Sequence, residues 1–425
     1  MANRRTIARL TVDCTSPLAI GTGDDDPLYD LLLARDPNGL PMLPATSIAG
    51  ALRARLTIDD ARKWLGSDAS DAPARSLVDI TDGLVHWSDN KPRDGRVDQA
   101  SVKGDCICKM LLGKVPVERD HVRLDHRGVV DGDGKFTRSA VPTGTRFTFE
   151  LRATDDKPIA ALVALIKAGL VLGGASRAGY GQLRCISYVK KTIDLSSNQG
   201  WKDYCEITGH SIGQDSLIDC KPVDPPSAHF VGWQITGQIE GPLLIAALGG
   251  DPSRPKRVPY QEVRITWEKD VATIGQYFVI PGSSIKGPVR HRTEFHLRKS
   301  EPAQAEALII EMFGSVANGD GGMAGALRFH DCIPEGARLV QDVSHVSLDR
   351  FSGGARKGAL FADDMLWRPT LALKIERLRP LPEAAYKALT SALDDLKTGL
   401  CGIGAEWGEG AGVFESVAVV EVESM

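Results

Sequence analysis

Alternating apolar and polar positions predict strands at matching places in two halves of the chain. Thr6 to Cys14 alternates in this way, and so do Thr145 to Leu151 and Leu371 to Ile375. A period of two residues is typical of a strand with one buried face. Each half also ends in a strand-like segment, at Gln182 to Val189 and at Val413 to Val422.

Two apolar segments, Ile159 to Gly169 and Pro382 to Gly399, predict helices, and a glycine-rich loop follows each of them. Strands and helices mix without the regular strand–helix–strand order of a parallel sheet, which predicts an α+β fold around antiparallel sheets. The longest apolar stretch, Ile159 to Leu172, contains Lys167 and is shorter than the roughly 20 residues of a membrane-spanning helix. No membrane association is therefore expected.

Several motifs recur in the same order in both halves. Pro44 to Arg53 returns as Pro281 to Arg290, and His121 to Asp125 returns as His345 to Asp349. Such repetition predicts a duplication. The two homologous domains are expected at residues 1–221 and 222–425, joined at a proline-rich segment that breaks both helix and strand.

Composition changes this picture little. The 425 residues are 42% hydrophobic and 25% charged, with a formal net charge of −4, which excludes disordered and coiled-coil chains. A nucleic-acid binder usually has a basic excess, so any such surface must be local here. Because no signal-like apolar segment precedes the first strand, and the eight cysteines suit a reducing compartment, we expect a cytoplasmic protein.

The repeated Pro-x-x-Ser-x-x-Gly-x-x-Arg motif places a hydroxyl side chain where a helix should begin. Such a residue can cap the helix, and its free N–H groups with nearby cations would form an anion site. The candidates in the second copy are Ser283, Ser284, Lys286, Arg290 and Arg292, and in the first copy Ser47, Arg53 and Arg55. The alternative is an ordinary capped helix with a solvated basic face.

The glycine-rich loops, Gly173 to Gly181 and Gly402 to Gly412, suggest the same ligand. Glycines let a backbone approach phosphates closely and form an anion-binding nest, although each loop can also be a simple tight turn. Candidate RNA-binding residues are Gly174, Arg177 and Tyr180 in the first loop, and Gly404 and Trp407 in the second. Arginine would pair with phosphate and tyrosine would stack on a base. Two such elements in each half favour an extended polyanion such as RNA.

These residues resemble the RAMP superfamily, specifically the Cas-seven-like backbone subunits of type III CRISPR effector complexes. The resemblance lies in Asp30 to Pro41 with Pro44 to Arg53, Phe313 to Ser315 with Gly325 to Asp331, Ser347 to Ala355 with Gly358 to Phe361, and both glycine-rich loops. It covers nearly the whole chain twice, as in the double subunits of type III-D-like assemblies.

The resemblance implies two tandem RRM-like (ferredoxin-like) RAMP domains, each with an inserted β-hairpin thumb and a glycine-rich loop. The thumb candidates are Val115 to Pro142 and Leu339 to Pro369. The implied partners are CRISPR guide RNA, complementary target RNA, and other RAMP and small subunits.

In active members of the family, an Asp in the loop after the first strand cleaves the paired target RNA in a metal-dependent reaction. Asp30 occupies that place and is the leading catalytic candidate, with Asp26 as a second one. Asp24 and Asp26 could hold Mg²⁺ or another divalent cation, although this acidic run could also be a solvated turn. In the second half the candidates are Glu262, at the matching place, and Asp251 upstream; alternatively that domain only binds RNA.

Other chemistries have less support. Cys106 and Cys108 lie near His121 and His126, so a structural Zn²⁺ is a further candidate, although no second cysteine pair has zinc-finger spacing. Hydrolase, ATPase and dehydrogenase motifs are absent. A non-catalytic RNA-binding scaffold and a guide-processing endonuclease remain as alternative functions.

Overall fold

The computed structural model describes residues 4–22, 32–67, 73–124, 130–207, 217–218, 230–251, 254–315 and 322–423. The chain forms two compact units. Unit 1 comprises Met1–Ser176, Tyr180–Ser227 and Val263–Gly275, and unit 2 comprises Arg177–Gly179, Ala228–Glu262 and Gln276–Met425. The predicted boundary between residues 221 and 222 lies outside the described residues.

Unit 1 is built on one antiparallel sheet. The strands of unit 1 are β1 (Arg4–Cys14), β2 (Val78–Ile80), β3 (Leu84–Val85), β4 (Val117–Leu124), β5 (Val130–Ala140), β6 (Arg146–Ala153), β7 (Leu170–Val171), β8 (Gln182–Asp194) and β9 (Leu217–Ile218). Of these, β4 and β5 form a separate two-stranded sheet. The helices of unit 1 are α1 (Ala45–Arg53), α2 (Ile58–Leu65), α3 (Gln99–Gly104), α4 (Cys106–Leu111), α5 (Asp156–Lys167) and α6 (Asn198–Cys205). The sheet order is β2-β6-β1-β8-β7.

Helix α5 packs its apolar face on this sheet. Ile159, Leu162, Val163 and Ile166 are buried, and their spacing places them on one helix face. The helix begins before the predicted Ile159 because the Asp155 carboxylate accepts a hydrogen bond from the Lys157 N–H group.

Unit 2 contains a second antiparallel sheet, in the order β16-β19-β10-β20. The remaining strands are β10 (Gly232–Ile239), β11 (Pro242–Leu243), β12 (Ala246–Asp251), β13 (Arg254–Pro259), β14 (Gln261–Glu268), β15 (Val271–Phe278), β16 (Leu327–Phe329), β17 (Arg338–Leu348), β18 (Ala355–Trp367), β19 (Thr370–Arg377) and β20 (Phe414–Val422). The helices are α7 (Gly282–Ser300), α8 (Ala305–Phe313) and α9 (Glu383–Lys397). The predicted mixture of helices and antiparallel strands is confirmed.

Long hairpins leave both sheets. β4 pairs with β5 within the first predicted thumb, and β17 pairs with β18 within the second. Two shorter hairpins, β12-β13 and β14-β15, precede α7, and residues 263–275 of the latter belong to unit 1. In the described part of the chain, no helix combines the length and apolar character needed to span a membrane.

Candidate nucleic-acid interface

The repeated helices α1 and α7 begin differently from the prediction. Their N-cap residues are Pro44 and Pro281, and neither helix has a side-chain cap from a serine. Ser283 and Ser284 therefore lie inside the first turn of α7 and do not cap it. The expected serine cap is wrong because the chain turns into the helix two or three residues earlier, at the proline.

Aspartate carboxylates occupy both helix starts instead. Asp82 accepts a hydrogen bond from the Ala45 N–H group at 2.7 Å, and Asp331 accepts one from the Gly282 N–H group at 2.8 Å. A helix N-terminus attracts an anion, and in both repeats the protein supplies that anion itself. The first free N–H group of each helix is therefore not available to an RNA phosphate.

In unit 1, the predicted cations of the first motif bind backbone carbonyls. Arg53 donates to the carbonyls of Gly66 and Leu65, and Arg55 donates to those of Leu165 and Gly169. These contacts satisfy carbonyls at the ends of α2 and α5. Ser47, in the first turn of α1, is half-buried. The first copy of the motif thus has a structural role in the observed geometry.

In unit 2, by contrast, predicted cations come together. The Lys286 ammonium donates to the Phe313 carbonyl at 2.7 Å, and the Arg177 Nε donates to the Gly325 carbonyl at 2.8 Å. Burial, together with the positive charges of Arg290 and Arg177, lowers the pKa of Lys286 to about 8. Arg177 thus reaches the same cluster as the helix α7 cations.

Two arginines that the sequence reasoning missed extend this cluster. Burial lowers the pKa of Arg177, and repulsion from Arg328 and Arg379 adds to the effect, while Glu376 opposes it. Glu376 already pairs with Arg328 at 2.7 Å. The sequence Arg-Phe-His-Asp at 328–331 does not recur in the first repeat, so a comparison of the two repeats does not mark Arg328 as a candidate RNA-binding residue. We call Arg177, Lys286, Arg290, Arg328 and Arg379 the cationic cluster.

Arg292 lies outside the cationic cluster although it is only two residues from Arg290. Its guanidinium pairs with Asp395 of α9, which also binds His296 at 2.5 Å. The arginine lowers the pKa of the Asp395 carboxyl despite the opposing effect of burial. Arg292 therefore joins α7 to α9.

Both glycine-rich loops pack against the segment that follows the first strand of their repeat. Gly174 donates its N–H to the Ala19 carbonyl at 2.9 Å, and Ala405 donates to the Leu244 carbonyl at 2.8 Å. Gly404 has a φ of +88°, and a Cβ there would overlap the Leu244 carbonyl oxygen. The glycines are thus required for close packing within the protein, which is the alternative reading of these loops.

Tyr180 is fully buried and does not stack on a base. Its hydroxyl hydrogen-bonds His121 Nε2 at 2.8 Å, and the Arg119 guanidinium lies 4.8 Å from its ring centroid. His121 in turn stacks on Phe136. The prediction of base stacking is wrong because the aromatic ring fills the space between the glycine-rich loop and the β4-β5 hairpin.

The second repeat has the same stack with acidic partners. His345 stacks on Phe361, with Glu409 of the glycine-rich loop 3.4 Å from its Nδ1. Arg257 pairs with the buried Asp363 and, at 2.5 Å, with Glu406 of that loop. Trp407 remains 56% exposed, so it is the aromatic side chain of this loop that a base could reach.

The candidate catalytic residues are placed unevenly. Asp24, Asp25, Asp26 and Asp30 lie outside the described residues, and Asp251 ends β12, opposite Arg254. Glu262 is only 3% exposed and accepts a hydrogen bond from the Tyr260 hydroxyl at 2.9 Å. A buried carboxylate does not fit a group that must reach a scissile phosphate.

Backbone hydrogen bonds also align the two acidic segments. Ala34 donates to the Ile20 carbonyl at 2.9 Å, and Tyr260 donates to the Ile245 carbonyl at 2.8 Å. Counting from Tyr260, Glu262 corresponds to Asp36 and not to Asp30. Counting from the isoleucines, Asp26-Pro27 and Asp251-Pro252 stand at the same positions of the two repeats.

Metal ligands are not assembled in the described part of the chain, where no three His, Cys, Asp or Glu side chains could hold an ion. Cys108 is buried, and burial together with Asp105 raises the pKa of its thiol, which disfavours the thiolate that zinc requires. Cys106, two residues away, is exposed. The two thiols therefore do not share one environment.

Comparison with known protein families shows which family the chain belongs to. The model of the RAMP superfamily matches residues 11–184 and 268–415. The chain belongs to the RAMP superfamily. The two matched regions lie in the two repeats, so this RAMP protein carries the family pattern twice.

Solved structures of similar proteins include CRISPR complexes. A chain of the type III-B Cmr-beta complex in the apo state is 16% identical, with a TM-score of 0.32, and the match covers 42% of this chain and 96% of that one. A chain of the same complex bound to cognate target RNA is 16% identical, with a TM-score of 0.31, and the match covers 42% of this chain and 96% of that one. A chain of a type IV-B CRISPR complex is 19% identical, with a TM-score of 0.32, and the match covers 45% of this chain and 90% of that one. Comparison with the curated proteins gave no match.

Proposed function

We propose that this RAMP protein is an RNA-binding backbone subunit of a CRISPR effector complex, in which its two repeats bind adjacent stretches of guide RNA. The observation that carries the proposal is the cationic cluster of unit 2. Burial and the neighbouring positive charges lower the pKa values of Lys286 and Arg177, so a bound polyanion would relieve the repulsion. An RNA phosphate supplies that charge in the form that arginine and lysine bind best.

The fold supports the same assignment. In order along each repeat, the four central strands of both sheets are arranged 4-1-3-2, with helices on the connections between the first and second and between the third and fourth. This is the arrangement of a ferredoxin-like domain. The β4-β5 and β17-β18 hairpins are its proposed thumbs, which would contact the guide–target duplex.

Guide binding is tested by neutralising the cluster in the full chain. The variant Arg177→Gln/Lys286→Gln/Arg290→Gln should bind labelled guide RNA at least tenfold more weakly in fluorescence anisotropy. The control Arg53→Gln/Arg55→Gln removes exposed arginines that lie outside the cationic cluster and should keep the affinity. Equal affinities of the wild type and the cluster variant would refute the proposal.

We further propose that the protein cleaves complementary target RNA, with the acidic loop of the first repeat as the reactive element. Asp30 is the family's expected position, but the register of the repeats makes Asp26 the counterpart of Asp251. Asp24 and Asp26 would hold Mg²⁺ in this proposal. A carboxylate can help remove a 2′-hydroxyl proton, while cations stabilise charge on phosphate oxygens.

Cleavage is tested in the assembled complex with magnesium and guide-complementary RNA. Asp26→Ala, Asp30→Ala and Asp251→Ala are compared with Glu262→Gln, whose buried position predicts an unchanged cutting pattern. Loss of one discrete cut, with RNA binding intact, would identify the reactive residue of that repeat. If every variant keeps all cuts, the non-catalytic scaffold is the better function, which the buried Glu262 already favours for the second repeat.

A further inference from the structure

The second repeat contains a hairpin that the first repeat lacks. Between Tyr260 and Ile280 stand nineteen residues, 261–279, which form β14-β15. Between the equivalent positions Ala34 and Leu43 stand eight, which form a tight turn closed by hydrogen bonds between Asp36 and Leu40. The hairpin is therefore an addition to the RAMP pattern of this chain.

Residues 263–275 of this hairpin complete unit 1. Ile265 is 3% exposed and donates its N–H to the Thr143 carbonyl at 2.9 Å. The Trp267 indole donates to the Gly144 carbonyl at 2.7 Å, and the Arg146 guanidinium lies 4.2 Å from the centroid of the indole ring. Backbone pairing together with an aromatic anchor is typical of β-strand recognition.

The surface that takes the hairpin is specifically shaped for it. Asn90 donates to the Asp270 carboxylate at 2.8 Å. Gly144 has a φ of +86°, and a Cβ there would overlap the Ile265 carbonyl oxygen. We call Asn90, Thr143, Gly144 and Arg146 the hairpin acceptor.

The equivalent turn of unit 2 would exclude such a hairpin. Cys14 donates to the Thr145 carbonyl, and Ile239 donates to the Pro369 carbonyl, so Arg368 stands where unit 1 has Gly144. Arg368 shares the left-handed backbone, with a φ of +49°, but it carries a side chain that pairs with Glu415. The second repeat thus has the hairpin without an acceptor, and the first has the acceptor without a hairpin.

We propose that the hairpin acceptor is a selective docking surface for a β-hairpin from a neighbouring RAMP repeat, and that residues 261–279 of this chain are its occupant. This inference rests on the proposed function, in which RAMP repeats are neighbours on a guide RNA. Because the hairpin of the chain fills its own acceptor, further copies of the chain are not added by the same contact. The glycine sets the selectivity, since other residues block the backbone approach.

The first test introduces Gly144→Ala in the full chain and measures amide hydrogen exchange. The amide of Ile265 should exchange at least tenfold faster than in the wild type, because its partner carbonyl is displaced. Gly169→Ala is the matched control: Gly169 has a φ of +95° with open space around it, so alanine adds strain without a clash. Equal Ile265 exchange in the wild type and Gly144→Ala would overturn the proposal.

The second test replaces residues 261–279 by the eight residues 35–42 and adds a cyclised peptide of the 261–279 sequence. The peptide should bind this variant, as measured by anisotropy, and should bind at least tenfold more weakly once Gly144→Ala is added or when the wild-type chain fills its own acceptor. Equal binding in all three chains, or none to the folded replacement variant, would refute selective docking. Dimers of the wild type in solution would show instead that a second copy supplies the hairpin.

Neither test contains RNA, so the inference and the proposed function can fail separately. Guide RNA affinity of Gly144→Ala should stay within twofold of the wild type, because the cationic cluster belongs to unit 2. Faster Ile265 exchange with no RNA binding in any chain would leave the docking surface standing and remove the proposed function.

Discussion

Lys286 shows how burial and neighbouring charge set the chemistry of one side chain. Its pKa of about 8 lies below the ordinary value of 10.5, so keeping the ammonium charged in the folded protein costs free energy at neutral pH. This cost is lost as the pH rises from about 8 to 10.5, because the folded protein releases the proton first. Folding therefore becomes more favourable over that range. Its ability to attract a phosphate changes in the opposite direction, because the charge is lost.

We expect guide RNA affinity to fall as the pH rises through about 8. The expected loss is roughly tenfold between pH 7 and pH 9.5, since one charge-assisted contact contributes about 1.5 to 3 kcal/mol. Lys286→Arg should flatten this dependence, because arginine stays charged. Fluorescence anisotropy at constant ionic strength measures both chains, and an identical pH profile for the two would exclude Lys286 as a phosphate contact.

Tyr180 has a structural role, so its substitution should separate stability from RNA binding. Tyr180→Phe removes the hydroxyl partner of His121 and should lower the free energy of unfolding by about 1 kcal/mol, without changing RNA affinity. Urea unfolding and anisotropy measure the two quantities. Unchanged stability combined with weaker RNA binding would show that the hydroxyl contacts RNA and contradict the structural role.

At the scale of elements, periodic patterns predicted the core well and the contacts at element ends poorly. The strand predicted at Thr6 to Cys14 is observed as Arg4–Cys14, and the helix predicted at Pro382 to Gly399 as Glu383–Lys397. Burial of alternate or helically spaced residues fixes such elements locally. The partners of Arg53, in contrast, depend on which loop the fold brings beside it.

The residues that cap the helices illustrate this limit. A serine inside Pro-x-x-Ser is a good local candidate for a cap, yet the carboxylates of Asp82 and Asp331 reach the helices from 37 and 49 residues further along the chain. No short-range pattern contains that information. The repetition of the contact in both repeats can be recognised only after the fold is known.

These carboxylates should stabilise their helices. Asp331→Ala removes the acceptor of the Gly282 N–H group and should lower the free energy of unfolding by about 1 kcal/mol, as expected for a lost helix cap. Asp394→Ala, an exposed aspartate on α9, is the control and should cost less than 0.5 kcal/mol. Denaturant titrations compare them, and equal losses would show that the cap contributes nothing specific.

For the whole molecule, the charge distribution matters more than the total charge. The net charge of −4 argues against strong binding of RNA over the entire surface, whereas the cationic cluster concentrates positive charge in one unit. Composition therefore pointed to a local site without locating it. Arg177 shows why the site could not be located from composition, because this residue belongs to the first repeat in sequence and to unit 2 in the fold.

The salt dependence of guide RNA binding should reveal how local this site is. Each phosphate neutralised on a single strand contributes roughly −0.7 to the slope of log K against log salt concentration. Removing three cations in Arg177→Gln/Lys286→Gln/Arg290→Gln should thus reduce the slope by about 2. Arg53→Gln/Arg55→Gln removes two charges outside the cationic cluster and should leave the slope unchanged. A similar reduction in both variants would mean that RNA senses only the general charge of the protein, and that the cationic cluster is not its binding site.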